Sequence, residues 1–143
     1  MFDLAPASTI AHTIQLSLAP VFLLTGVGAI LAVLTNRLGR IIDRARVLQA
    51  RLENTGPNEC YQQELRILAR RGRHIHWAIG LSTTCALLVC AVVALLFIDE
   101  LARADFGRAV AGLFVAAMVS LCLALLSFLR EIFLATQHVR IVP

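Results

Sequence analysis

The first apolar segment of the chain, residues 16–35, reads LSLAPVFLLTGVGAILAVLT and carries no charge. About 20 such residues in a helix cross the roughly 30 Å hydrocarbon core of a bilayer. Charge-free segments of similar length follow at 77–98 and 109–129. Only 15% of the chain is charged and its mean hydropathy is +0.80, whereas soluble domains carry about 25% charged residues. The sequence predicts an all-α membrane protein, a single domain over 1–143 with three transmembrane helices.

Arginine distribution predicts the orientation of these helices. Every basic residue is Arg, and nine of the 13 lie between residues 36 and 76. The 99–108 connection holds only Arg103 and Arg108 beside three acidic residues, while Arg130 and Arg140 follow the third segment. Because positive connections stay in the cytoplasm, we expect a bacterial inner-membrane protein with its N-terminus outside, its C-terminus cytoplasmic and a short external loop at 99–108.

The long connection carries two apolar seams at the alternating spacing of three and four residues that packs helices together. The first seam is Leu38, Ile41, Ala45, Leu48 and Leu52, and the second is Tyr61, Leu65, Leu68, Gly72 and Ile75. Between them, Gly56 suits a helix C-cap, Pro57 cannot continue the first helix, and Asn58 can cap the second. We therefore expect a cytoplasmic antiparallel helical hairpin over 36–76. Its first helix would run over 14–53, with Pro20 near the start.

A stripe of small and weakly polar residues follows one face of the first segment at helical spacing. Its members are Ser17, Val21, Thr25, Gly28, Ala32, Thr35 and Gly39, and the face continues to Asp43 and Arg46. A helix that only anchors a protein in lipid does not need such a face. The stripe is either internal to the three-helix chain, or it faces another copy of the chain or a water-filled pore.

The third segment has a second stripe at strict i, i+4 spacing. It consists of Gly112, Ala116, Ser120 and Ala124. Small residues at this spacing let two helix backbones approach closely and gain dispersion contacts. We expect these four residues to pack against another helix.

The chemistry of a catalytic or coupled transport site is missing from the three segments. None contains Asp, Glu, Arg or His, and such residues usually mark ion-coupled transport, proton relays and voltage sensing. His74 and His76 lie two residues apart, a spacing that does not place two metal ligands on one face of a helix. We predict no enzyme, cofactor or metal. The basic run at 70–74 predicts contact with anionic lipid and not with nucleic acid.

Several motifs resemble a family of small bacterial membrane proteins that is catalogued only as a domain of unknown function. They are APVFLLTGVG at 19–28, LTNRL at 34–38 and IDRAR at 42–46, and the resemblance extends roughly over residues 10–137. It implies a three-helix inner-membrane protein. It brings no activity, substrate or assigned residue.

Two functions fit these patterns. The first is a homo-oligomeric channel that conducts ions or small solutes passively, since hydroxyl groups and glycine backbone lower the barrier for water and ions. Its pore-lining or helix-packing residues would be Thr25, Gly28, Ala32, Thr35, Asn36, Gly39, Arg40 and Asp43. Asp43 has an alternative role, pairing with Arg40, Arg44 or Arg46 on the helix surface. The second function is a structural or regulatory scaffold whose hairpin docks a cytoplasmic protein partner.

Overall fold

The computed structural model describes residues 5–103 and 105–139, with side chains from 7 to 137, and these residues form three α-helices. Helix α1 is Ala5–Thr55, α2 is Glu59–Ala102 and α3 is Gly107–Val139. Each helix contains a window long and apolar enough to cross a membrane. The predicted all-α fold with three candidate spanning helices is confirmed. Arg140, one of the residues used to orient the chain, lies outside the described residues.

The helices are longer than the sequence pattern predicted. Helix α1 extends past both predicted ends, 14 and 53, and continues through Pro20. Helix α2 includes Asp99 and Glu100, so the connection predicted at 99–108 is shorter. It ends where Arg103 adopts a left-handed φ of 49°. The Asp99 carboxylate then accepts a hydrogen bond from the Phe106 N–H at 3.2 Å, which satisfies a donor at the start of the next helix.

The turn between α1 and α2 has the predicted capping chemistry. Gly56 follows the last residue of α1 with φ +81°, a conformation that glycine adopts without strain. Its N–H donates to the Leu52 carbonyl at 3.1 Å. The Asn58 side chain accepts a hydrogen bond from the Cys60 N–H at 3.0 Å, as an N-cap does. Glu59 occupies the first turn of α2, where a negative charge is favourable.

The chain divides into two compact units. The first is Met1–Ile30 with Ser82–Leu121, and the second is Leu31–Leu81 with Cys122–Pro143. The core of the first unit is built from small and hydroxyl side chains as well as aliphatic ones: Thr13, Ser17, Val27, Ser82, Cys85, Val89, Val92, Ala117, Ser120 and Leu121. The Ser17 hydroxyl donates to the Ile14 carbonyl of its own helix at 2.8 Å.

The core of the second unit follows the two predicted seams. Every residue of both seams is buried or half-buried. A Cβ built on Gly72 would lie 3.7 Å from the Ile41 side chain, and Arg44 pairs with Glu64 at 2.9 Å. Residues that lie further from the turn along α1 therefore contact residues that lie further from the turn along α2. A Cβ at Gly72 would make an ordinary van der Waals contact with Ile41.

Buried positions of α1 recur every seven residues. They are Val27, Leu34, Ile41 and Leu48. This heptad period is that of helices packed along a shared seam. The four positions define the face of α1 that is buried within the chain along residues 27–48.

Replacing Leu48 by Ala should destabilise the protein by about 2 to 5 kcal/mol, because the side chain is fully buried and its loss leaves a cavity. The matched control is Val47→Ala. Val47 is 46% exposed, so the change should cost under about 0.5 kcal/mol. Denaturation of the purified protein in detergent, followed by far-UV circular dichroism, measures both changes. Equal losses for the two variants would contradict the seam.

Candidate functional site

A buried carboxylate joins the three helices in the second unit. The Glu131 side chain on α3 is fully buried. Its Oε2 accepts a hydrogen bond from Arg37 NH1 of α1 at 2.6 Å. Its Oε1 accepts two from Arg71 of α2, from Nε at 3.2 Å and from NH2 at 2.8 Å. Each oxygen therefore receives one arginine, and we call these three residues the charge triad.

Sequence position brings the charge triad to one end of the three spans. Arg37 lies two residues after the first span, and Glu131 lies two residues after the third. Arg71 precedes the second span by six residues, about 9 Å along a helix. Glu131 occupies the interior face of α3, seven residues after the buried Ala124. The carboxylate therefore faces the helix interface, where an unpaired charge would be very costly.

Neighbouring groups hold the charge triad in place. The Arg37 guanidinium lies 5.2 Å from the centroid of the Phe128 ring, within the range of a cation–π interaction. One turn before Glu131, the Ser127 hydroxyl donates to the His74 carbonyl at 2.9 Å. These contacts hold α3 against α1 and α2 in the turn that precedes Glu131.

The charge triad carries one net positive charge, since two guanidinium groups share one carboxylate. The side chains of Arg37 and Arg71 stay 39% and 26% exposed, so part of each cation remains hydrated. Arginine suits this role because its planar guanidinium donates several hydrogen bonds in a fixed geometry and stays charged. The arrangement joins the three helices through ion pairs and does not present a nucleophile.

A cationic groove of about 190 Å³ adjoins the charge triad. Its lining is Gln63, Arg66, Ile67, Arg70, Arg71 and Leu134. Arg71 thus belongs to both features: Glu131 holds it from inside, and the groove exposes it.

The predicted stripe on α1 is exposed from Val21 to Asp43, except that Gly39 is half-buried, while Ser17 is buried. A Cβ added at Gly28 or Gly39 would meet no atom within 4 Å. Within the described residues, this face of α1 is left uncovered by α2 and α3. Asn36 and Arg40 are exposed beside it. Whether the stripe lines a pore stays a prediction.

Asp43 has no ion pair in the parts of the chain that the structure describes. Among the arginines named as its alternative partners, Arg44 pairs with Glu64 of α2 at 2.9 Å. Both side chains of that pair are substantially exposed, so it contributes little stability.

The stripe on α3 is split between two environments. Ser120 and Ala124 are buried, whereas Gly112 and Ala116 are exposed. Each i, i+4 step rotates by about 40° beyond a full turn, so a strict series of this kind leaves the interior face. A series that alternates in steps of three and four instead stays buried or half-buried along α3: Val110, Leu113, Ala117, Ser120, Ala124, Ser127, Glu131 and Leu134.

Sequence reasoning missed the charge triad. The prediction considered only charged residues within the spans, and Glu131 lies two residues beyond the third span. The signal was the alternating three-and-four series on α3, which reaches Glu131 at an interior position. Across the described part of the chain, no three His, Cys, Asp or Glu side chains are grouped as a metal site requires.

Comparison with known families finds one match. A family described as protein of unknown function, DUF2721, matches residues 17–141. The chain belongs to this family. The matched range includes the three spans predicted from the sequence apart from Leu16, the α1 stripe from Ser17 onward and the charge triad. The family resemblance drawn from the sequence motifs is confirmed. No curated protein and no solved structure matches the chain.

Replacing Glu131 by Gln should destabilise the protein by about 3 kcal/mol, because two partly buried arginines would lose their counter-charge. The matched control is Glu64→Gln in the exposed pair with Arg44, which should cost under about 1 kcal/mol. Denaturation in detergent measures both. The triple change Arg37→Met, Glu131→Leu and Arg71→Met should recover most of the loss. A Glu131→Gln protein as stable as Glu64→Gln would show that the charge triad does not hold the helices.

Proposed function

We propose that the chain forms a homo-oligomeric, passive channel in the bacterial inner membrane, with the α1 stripe facing the central axis. The observation that carries this proposal is that the chain leaves the stripe uncovered while burying the opposite side of α1. A second copy or a water-filled axis would then be its neighbour. The proposal assigns no catalytic residue and no cofactor.

The chemistry of the uncovered face supports passive conduction. The Thr25 and Thr35 hydroxyls donate to the carbonyls of Val21 and Leu31 in their own helix, at 3.4 and 2.8 Å. Their oxygens keep lone pairs that accept hydrogen bonds from water. Glycine backbone at Gly28 leaves room along the axis. These groups lower the barrier for water and ions without a titratable group in the span.

Polar side chains continue this face past the end of the first span. Asn36 follows the last residue of the span and would form a constriction. Arg40 and Asp43 are exposed beyond it. In a ring of copies they would set the charge at the channel mouth, which biases the sign of the permeating ion.

The proposed orientation places the antiparallel hairpin over 36–76 in the cytoplasm and the N-terminus outside. Support comes from the excess of arginine in this connection. In this orientation the charge triad lies at the cytoplasmic end of the spans, and the arginines of the hairpin near the membrane contact anionic lipid.

A scaffold is the second candidate function. Ile42 and Val47 are 42% and 46% exposed on α1 beyond the first span. Apolar side chains exposed to water favour a protein contact. In the scaffold they would bind a cytoplasmic partner, whereas in the channel they would contact another copy of the hairpin.

Gly28→Leu should lower solute or ion flux at least about tenfold, because a bulky apolar side chain from each copy would meet at the axis. Ion flux into liposomes containing the purified protein measures the effect. The matched control is Gly26→Leu. Gly26 is also exposed with no atom within 4 Å of an added Cβ, but it points about 200° away from Gly28.

Oligomeric mass in mild detergent separates the outcomes of this comparison. Flux that falls in Gly28→Leu with an unchanged oligomer supports a pore-facing stripe. A Gly28→Leu protein that becomes monomeric supports an intersubunit stripe in place of a pore lining. No flux from the wild-type oligomer under any ion gradient favours the scaffold.

Cys60 offers a native test of orientation. It is exposed beside the hairpin turn, whereas Cys85, Cys90 and Cys122 lie within the predicted spans. A membrane-impermeant maleimide should label Cys60 in inside-out vesicles and not in right-side-out vesicles. Cys60→Ser controls for labelling at the other cysteines. Labelling of Cys60 from the outside would reverse the proposed topology and leave the flux result untouched.

A further inference from the structure

The cationic groove beside the charge triad has the composition of a phosphate site with an apolar floor. Four of its residues lie on one face of α2 at i, i+3, i+4 and i+7: Gln63, Arg66, Ile67 and Arg70. Arg71 completes the α2 side and Leu134 comes from α3. Its volume of about 190 Å³ is below the roughly 300 Å³ at which drug-sized sites begin. A small anionic group fits this space.

Arg71 is held ready for an anion by the carboxylate behind it. Its Nε and NH2 donate to Glu131 Oε1, which leaves NH1 without a bond to that carboxylate. The Glu131 charge is already shared with Arg37 on its other oxygen. Fixing a side chain before a ligand arrives lowers the entropy lost on binding. The buried carboxylate therefore prepares Arg71 without cancelling the positive charge of the groove.

Arg66 and Arg70 supply the uncompensated charge. Both are exposed, and neither has an ion pair with any side chain that the structure describes. Two guanidinium groups one turn apart can donate to the same phosphate, which is the geometry for which arginine is favoured. The groove thus carries two free cations and one that is held in place.

The end of the groove nearer the spans, formed by Arg70, Arg71 and Leu134, lies beside the lipid headgroup layer, while Arg66 and Ile67 lie about 16.5 and 15 Å before the second span. Leu134 lies five residues beyond the third span and Arg71 six residues before the second, or about 7.5 and 9 Å along the helices. The headgroup layer is about 5 to 8 Å thick on each side of the hydrocarbon. Arginine side chains extend along a helix to reach it.

We propose that this groove is a binding site for the phosphate of an anionic phospholipid headgroup. Arg70 and Arg71 hold the phosphate oxygens and Arg66 reaches toward them from the preceding turn, while Leu134 contacts the adjoining glycerol carbons and Ile67 forms the apolar floor. The apolar residues select a lipid over free phosphate, which gains nothing from them. This proposal rests on the membrane placement of the chain proposed above, but not on conduction, assembly or the side on which the hairpin lies.

Trp77, the only tryptophan of the chain, reports on lipid near the groove. It is 63% exposed, six residues from Arg71. The full-length protein in zwitterionic detergent is titrated with phosphatidylglycerol carrying brominated acyl chains, which quench tryptophan on contact. Brominated phosphatidylcholine is titrated in parallel. Salt at about 0.3 M shortens the Debye length below about 8 Å and suppresses diffuse attraction.

The test variant is Arg66→Gln with Arg70→Gln, which leaves the charge triad intact. The matched control is Arg51→Gln with Arg73→Gln, which removes the same charge from exposed positions outside the groove. Far-UV circular dichroism and elution volume verify that both variants fold. Restoring charge by Arg66→Lys with Arg70→Lys should recover part of the affinity, since an ammonium binds phosphate as a point charge.

We expect saturable quenching by brominated phosphatidylglycerol beyond that of phosphatidylcholine. The test variant should weaken it at least about tenfold, and the control should change it by no more than about twofold. Equal losses in both variants would overturn the site in favour of diffuse charge attraction. Release of the lipid by millimolar inorganic phosphate would overturn the lipid headgroup as the ligand. Neither result depends on ion flux, so the channel proposal is tested by a separate measurement.

Discussion

The ion pairs of Glu131 favour one register of α2 against α3. The seams alone are repetitive, because buried positions recur every seven residues and a slip of one heptad would again match apolar with apolar. The charge triad breaks this degeneracy. Glu131 receives Arg37 from α1 and Arg71 from α2. A slip of α2 by one heptad would put Glu64 or Ala78 in place of Arg71, so the buried carboxylate would lose that counter-charge. Polar core residues set helix register in this way at some cost in stability.

Packing the second unit around this point decides what α1 offers to its surroundings. Ile41 and Leu48 are buried on one face of α1, and Ile41 lies beside Gly72 of α2. The stripe residues about 100° or more around the helix are exposed, except for the buried Ser17 and the half-buried Gly39. Thr25, Gly28 and Ala32 lie on that free side. A bilayer provides no hydrophobic drive to cover them. Their small size allows a second helix or water to approach α1 closely, and this supports a functional role for the stripe.

The helices, the hairpin seams and the turn could be predicted from the sequence, because each depends on residues that are close together in the chain. Gly56, Pro57 and Asn58 specify a stop and a start without help from distant residues. Packing of α3 was harder to predict. The i, i+4 spacing of small residues led to the prediction that Gly112 and Ala116 pack against another helix. Both residues are exposed in the chain. The interior face follows alternating steps of three and four, and only the partner helices reveal which of the two series is buried.

The charge triad could not be predicted from any one segment. Arg37 and Arg71 read as two of many arginines that orient the chain, and Glu131 as one acidic residue in a terminal tail. What distinguishes them is the pairing of residues 94 and 60 positions apart. Arg71 shows why this pairing matters beyond stability. Glu131 holds the guanidinium at the wall of the groove, so the proposed anion would bind the arrangement in which Arg71 and Glu131 are paired. A ligand that binds only the folded arrangement stabilises it. In the proposed lipid site, Arg71 would link lipid composition to helix register.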